Sequence, residues 1–264
     1  GDYLMLGING GRIGTSNNPS PLAASGVWNY LEQVKAVRDN KWISNSLVID
    51  GLVLYFDASN SISYPGSGTT WYDLSGNGNN ATLYNGVGYS SSNGGSLVFD
   101  GINDYADFFA PNISSTVTIE MWCKLGSLAD DQMMLSWKAY DVYFRSGMGY
   151  NTFQSDVYGI PNASPSFSNL LNNWVHYVYV MRSDVPYTNN KIYFNSVNQN
   201  LSQVLSYENG SNRNFNSGYG RISGTSNASG YYINMNCGYF RVYNRELTSS
   251  EVLQNFAVSK SRFG

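Results

Sequence analysis

Asp73, Ser75 and Asn77 fall at every second position ahead of Gly78 in the run DLSGNGNN. Alternating oxygen donors followed by a glycine that allows a sharp turn have the spacing of the first half of an EF-hand calcium loop. Where that loop carries its bidentate Glu this chain has Tyr84, so a standard EF-hand is excluded. A weaker calcium site made of Asp73, Ser75, Asn77 and Asn79 needs one more carboxylate, from Asp57, Asp100 or Asp104. The other reading is a tight turn in which Asp73 and Asn77 hydrogen-bond their own backbone. From residue types alone, both stand.

Other chemistry has less material. His176 is the sole histidine and sits inside NWVHYVYVM, where it reads as a packed strand residue, so no Ser-His-Asp arrangement can be argued from it. One His with Cys123 and Cys237 provides no tetrahedral zinc set. Glycoside hydrolysis asks for two converging carboxylates. The chain has no E-x-D-x-E run: Glu120 stands alone on its strand, while Asp130 and Asp131 read as loop residues. The expectation is a protein that is not an enzyme. Cys123 alternates with Val117, Ile119 and Met121 along TVTIEMWCK, on the apolar face of a strand, so the two cysteines are expected free in the core.

Glycan binding fits the composition better. Of 264 residues only 12% are charged, the formal net charge is −3, and there are 22 Tyr and 6 Trp. That balance does not draw the chain toward nucleic acid or an anionic membrane. The apolar runs LVLYF and VHYVYVM fall far short of the ~20 residues of a membrane helix. No charged-then-apolar leader opens the chain, so a soluble product, exported if at all by assembly and lysis, is expected. Sugar rings stack on aromatic faces while amides and carboxylates hold their hydroxyls. The loop aromatics available for this are Tyr64, Trp71, Tyr150, Tyr158, Tyr219, Tyr231 and Tyr232. For each, the competing role is core or cross-strand packing. Six Asn-x-Ser/Thr sequons, at Asn80, Asn112, Asn162, Asn200, Asn209 and Asn227, would mark glycosylation in a eukaryotic secreted protein and otherwise reflect Asn and Ser richness.

Two textures organise the chain. Residues 1–46 pass from GINGGRIG through a polar loop to GVWNYLEQVKAVRDNKW, where Val27, Leu31 and Val34 recur at helical spacing and Ser25 stands at the N-cap. This segment has too little apolar surface to fold alone, so it reads as an attachment arm, anchored by Trp28 and Trp42, that docks on the main domain, on a sister subunit or on a larger assembly. Residues 47–264 change to strand periodicity: SLVIDGLVLYFDA, GSLVFDG, STVTIEMWCKL, NWVHYVYVM, NKIYFNSV and CGYFRVYN, each bounded by turn residues. The spacing predicts an all-β antiparallel sandwich, and no repeat of fixed period suggests a propeller or solenoid. LTSSEVLQNF is the one helix of this region, opened by the capping box Thr248-x-x-Glu251.

Five motifs in order resemble laminin G-like, concanavalin A-like jelly rolls over roughly residues 48–258. They are Trp71 to Asn79 (WYDLSGNGN), Phe99 to Tyr105 (FDGINDY), Ile119 to Trp122 (IEMW), Asn173 to His176 (NWVH) and Tyr243 to Glu251 (YNRELTSSE). The resemblance implies a jelly roll that displays loops for recognition and a structural calcium near those loops, held by the Asp73 set with Asp57. Residues 1–46, GRIG followed by AASGVWNYLEQVKAVRDNKW, are similar to linkers of tailed-bacteriophage structural proteins. The resemblances together imply a non-enzymatic virion display protein (head decoration, fibre or tail appendage) on the particle surface. Its partners would be other virion proteins, further copies of itself and host-surface glycans. The alternative is a carbohydrate-binding lectin or adhesin, secreted or on a bacterial surface.

Overall fold

The computed structural model describes residues 46–110, 113, 115–127, 132–137, 140–145, 148–153, 156–159, 167–182, 190–206, 218–225 and 230–264. Of the expected attachment arm only Ser46 is among them, so the helix proposed there lies outside the described residues. Strands are numbered in chain order. One sheet contains β1 (Leu52–Asp57), β4 (Gly88–Ser90), β5 (Ser96–Asp100), β7 (Thr116–Leu125), β12 (Trp174–Arg182), β13 (Lys191–Phe194), β14 (Val197–Asn198) and β17 (Asn234–Tyr243). Its order is β14-β13-β12-β7-β17-β5-β4, and β1 also pairs with β17. The other contains β2 (Thr70–Trp71), β3 (Ala81–Tyr84), β6 (Tyr105–Ala110), β8 (Gln132–Trp137), β9 (Tyr140–Arg145), β10 (Met148–Phe153), β11 (Asp156–Gly159), β15 (Ser202–Ser206) and β16 (Gly218–Ile222). These run β15-β11-β10-β9-β8-β16-β6-β3-β2. The fold is the antiparallel β-sandwich that the strand spacing predicts.

The core lies between the sheets because each strand turns alternate residues inward. Phe56 of β1 and Phe240 of β17 meet Trp71 of β2 and Phe108 of β6, with Phe56 stacked on Trp71 at 5.1 Å and set edge-on to Phe108 at 6.0 Å. Along β7, Val117, Ile119, Met121, Cys123 and Leu125 join this core. Cys123 lies opposite Cys237 of β17, and both are buried free thiols, as expected.

Thr118, Glu120 and Trp122, the alternate residues in the middle of β7, are also buried, which strand periodicity alone does not anticipate. Their cover is the C-terminal helix Ser249–Phe263, which lies on the outer face of the first sheet: Trp122 stacks on Phe263 at 4.7 Å and its Nε1 donates to Ser259 Oγ at 2.9 Å. The YNRELTSSE segment is the fastener of this helix. Thr248 N donates to Glu251 Oε2 at 2.8 Å and Glu251 N to Thr248 Oγ1 at 3.3 Å, completing the capping box. Arg245 then holds the same carboxylate in a two-pronged grip at 2.7 and 3.0 Å. At the far end β17 bulges between Cys237 and Tyr239. A Cβ on the intervening Gly238 would lie 2.5 Å from the Phe263 ring, so the glycine gives that ring its seat.

Candidate functional site

On three strands of the second sheet, β3, β6 and β16, the outward positions form a grid fixed by register. Tyr84 lies opposite Tyr105, Thr82 opposite Asp107, Arg221 opposite Asp107 and Tyr219 opposite Phe109. The inward partners Ala81, Leu83, Ala106, Phe108 and Ile222 are buried in the core, which holds the grid facing out.

At one end of the grid Tyr84 and Tyr105 stack at 4.8 Å, and Tyr232, from the stretch before β17, stacks on Tyr105 at 6.1 Å. Gly224 makes room for it, since a Cβ there would lie 2.9 Å from the Tyr232 ring. In the middle, Arg221 donates from Nε to Asp107 Oδ1 at 2.7 Å and from Nη2 to Oδ2 at 2.9 Å. Its Nη1 donates to the Thr225 carbonyl at 3.1 Å, and the guanidinium lies 3.7 Å from the Tyr105 ring centre. Two-pronged pairing and an aromatic surface suit arginine's planar fork. The Asp107 bonds hold the Arg221 guanidinium above its usual range against the opposing effect of burial. Burial, partly offset by Arg221, pushes the Tyr105 hydroxyl up. At the other end Tyr219 and Phe109 meet edge to face at 5.9 Å, 68% and 51% exposed. The face therefore combines open aromatic surface with a rigid, hydrogen-bonding charge pair.

A second polar cluster lies under the C-terminal helix. Glu120 Oε1 meets His176 Nε2 at 2.8 Å and accepts from Tyr239 Oη at 2.8 Å and Arg241 Nη1 at 3.1 Å, while Oε2 accepts from Asn255 Nδ2 at 2.7 Å. Glu120 and His176 have no exposed surface. Burial alone would raise the Glu120 carboxyl, but Arg241, His176 and Tyr239 outweigh it and hold it at about 2. His176 is the packed strand residue that its sequence context suggests. No second acid joins Glu120 in this cluster among the described residues, and Asp130 and Asp131 lie outside them.

The remaining expected site residues fall as follows. Asp73 Oδ1 accepts from the amides of Tyr55 and Ser75, and Oδ2 from Ser75 Oγ and the Asn79 amide. Asn77 Nδ2 donates to the Val53 carbonyl at 2.9 Å. With both carboxylate oxygens filled by protein donors, the DLSGNGNN loop has the geometry of the hydrogen-bonded turn. Asp57 serves a separate network, accepting from Arg262, Ser59 and Tyr55. Among the described residues no group of three or more His, Cys, Asp or Glu is placed to hold a metal ion.

Of the aromatic candidates, Trp71 and Tyr64 are corrected. Trp71 is fully buried against Phe56, and Tyr64 is 4% exposed with its hydroxyl on the Gly68 carbonyl. Both pack the sandwich and have no face for a sugar. The loop placement of Tyr150 and Tyr158 is corrected as well: their backbones lie in paired strands β10 and β11, opposite Gly159 and Asn151. Tyr219 and Tyr232 belong to the grid, and Tyr231 is 45% exposed next to it in sequence. Sequence reasoning missed Tyr84, Tyr105, Asp107, Phe109 and Arg221, although the alternation in YADFFA and GYGRI carried the signal.

A family model described as Laminin_G_3, concanavalin A-like lectin/glucanases superfamily, matches residues 99–253, more than half of the chain. No curated protein sequence matches it. A Trypanosoma rangeli sialidase in complex with 2,3-difluorosialic acid superimposes with a TM-score of 0.51 at 15% identity, covering 78% of this chain and 33% of the sialidase. The receptor binding domain of botulinum neurotoxin C/D mosaic serotype gives 0.54 at 12% identity over 81% of this chain and 52% of that one. The binding domain of Paraclostridial Mosquitocidal Protein 1 gives 0.50 at 16% identity, covering 79% and 52%. This chain thus spans a third to a half of the solved chains it resembles. The expectation of a protein that is not an enzyme is corrected here. It rested on a missing carboxylate run, yet the same sandwich occurs in a sialidase as well as in binding domains, so that absence does not separate this chain from enzymes. At such identities the fold alone is shared.

Proposed function

Because this chain belongs to the concanavalin A-like lectin/glucanase superfamily, we propose that it is a carbohydrate-recognition domain that binds cell-surface glycans through the outer face of its second sheet. The observation that carries this reading is the grid around Asp107 and Arg221, where open aromatic rings flank a fixed hydrogen-bonding pair. Sugars offer apolar C–H faces to such rings and hydroxyls to such pairs. The Trypanosoma rangeli sialidase structures hold sialic acid and its analogues, and the toxin relatives are named as receptor or binding domains. The toxin domains support a recognition role on this fold. Residues 1–46 serve as the attachment arm to a larger assembly, a tailed-phage particle, where many copies strengthen weak sites by avidity. The support for that setting is the resemblance of GRIG and AASGVWNYLEQVKAVRDNKW to phage linkers.

The test is a glycan array probed with the full chain and with Tyr105→Ala. Binding by the full chain that falls by about tenfold or more in a folded Tyr105→Ala variant is the expected result. Retention of full binding by that variant would move the site elsewhere. Antibody labelling of purified particles tests the setting, and a label on no particle would leave a free bacterial lectin.

A further inference from the structure

The grid carries an aspect of specificity beyond glycan binding as such, and the inference rests on reading this face as the glycan site. Among the described outward residues of β3, β6 and β16, Arg221 is the one cation and Asp107 the one anion. Both Asp107 oxygens are engaged by Arg221, whose Nη1 is also committed to the Thr225 carbonyl. The two side chains are 15% and 21% exposed, so the pair is held in place by packing. Thr82, Tyr84, Tyr105, Phe109 and Tyr219 around it bring no carboxylate, ammonium or guanidinium group.

A carboxylated sugar approaching this face would meet a guanidinium whose charge is already balanced, beside a carboxylate that repels it. To bind Arg221 it would have to displace Asp107 and leave that group uncompensated, the like-charge penalty by which recognition sites reject a wrong partner. An uncharged sugar meets no such obstacle. Its hydroxyls can donate to the free lone pairs of Asp107 and accept from the remaining guanidinium N–H groups, while its ring lies on Tyr84, Tyr219 or Phe109. We propose that the Asp107–Arg221 pair makes this face selective for uncharged pyranosides and against sugars bearing a carboxylate.

The experiment uses the full chain on immobilised neutral oligosaccharides and on the same oligosaccharides capped with sialic or glucuronic acid. Uncapped glycans are expected to be retained about tenfold more strongly. Raising salt from about 0.1 M to 1 M is expected to leave that binding unchanged, because no ion pair forms across the interface. Asp107→Asn releases the Arg221 charge, and acid-capped glycans are then expected to gain about tenfold while uncapped ones do not. Stronger retention of acid-capped glycans by the unmodified chain, with loss at high salt, would overturn the selectivity and leave the glycan reading standing. An unaltered preference in a folded Asp107→Asn variant would overturn the pair as its cause. Retention of no glycan of either kind would overturn the underlying reading, and the selectivity with it.

Discussion

The two outer faces of the sandwich carry the same chemical unit in opposite surroundings. Under the C-terminal helix, Arg241 pairs with Glu120 and lies 3.7 Å from the Tyr239 ring centre. On the open face, Arg221 pairs with Asp107 and lies 3.7 Å from the Tyr105 ring centre. The first carboxylate has no exposed surface, accepts four donors and has no room for a ligand, whereas the second is 21% exposed with open rings beside it. Burial makes an arginine, a carboxylate and a tyrosine into a strut between sheet and helix. On the open face the same three groups keep part of their surface in contact with solvent. Residue type does not separate a sealed cluster from a partly exposed one; what covers it does.

The sharpest way to break this comparison is to remove the arginine from each face in turn. Arg241→Ala strands Glu120 in the interior and is expected to cost about 3–5 kcal/mol, read as a lowered midpoint of denaturant unfolding. Arg221→Ala leaves Asp107 in contact with water and is expected to cost about 1 kcal/mol or less while lowering glycan retention on the array. Equal losses of stability would erase the distinction between the faces.

Acid sharpens the contrast. Glu120 is held at about 2 in the folded protein against an ordinary 4.5. A carboxyl lowered by folding stabilises the protein above its unfolded value, and that contribution fades as pH falls from 4.5 toward about 2. The loss is on the order of 3 kcal/mol. Unfolding midpoints measured across that window are expected to drop steeply in the unmodified chain and less steeply in Glu120→Gln. The smallest effect is expected from chelation. The Asp73 oxygens are filled by protein donors, so EDTA should leave the thermal midpoint unchanged, and a clear drop would restore the calcium reading of the DLSGNGNN loop.

Much of the architecture was legible in the chain itself. The six apolar runs, TVTIEMWCKL among them, identified strands of the first sheet, and Thr248 with Glu251 marked the start of the helix, because these signals act between near neighbours; the strands of the second sheet lay outside those runs. The candidate site was half legible. Tyr219 and Tyr232 were singled out, but Trp71 and Tyr64 met the same description and are buried, since an aromatic beside a turn serves the core or the surface equally well. The chain alone set the strands of the first sheet and the capped helix, through side-chain period and local hydrogen bonds, while the polar, Tyr-rich strands of the second sheet, β10 and β11 among them, read as loops. Only the tertiary structure decided that the helix seals Glu120 and Arg241 while leaving Asp107 and Arg221 open. It also brought Tyr84, Tyr105 and Arg221 together from positions far apart in the chain. Strand register and the placement of a cover are long-range outcomes, fixed by which faces find apolar partners, and no local pattern encodes them.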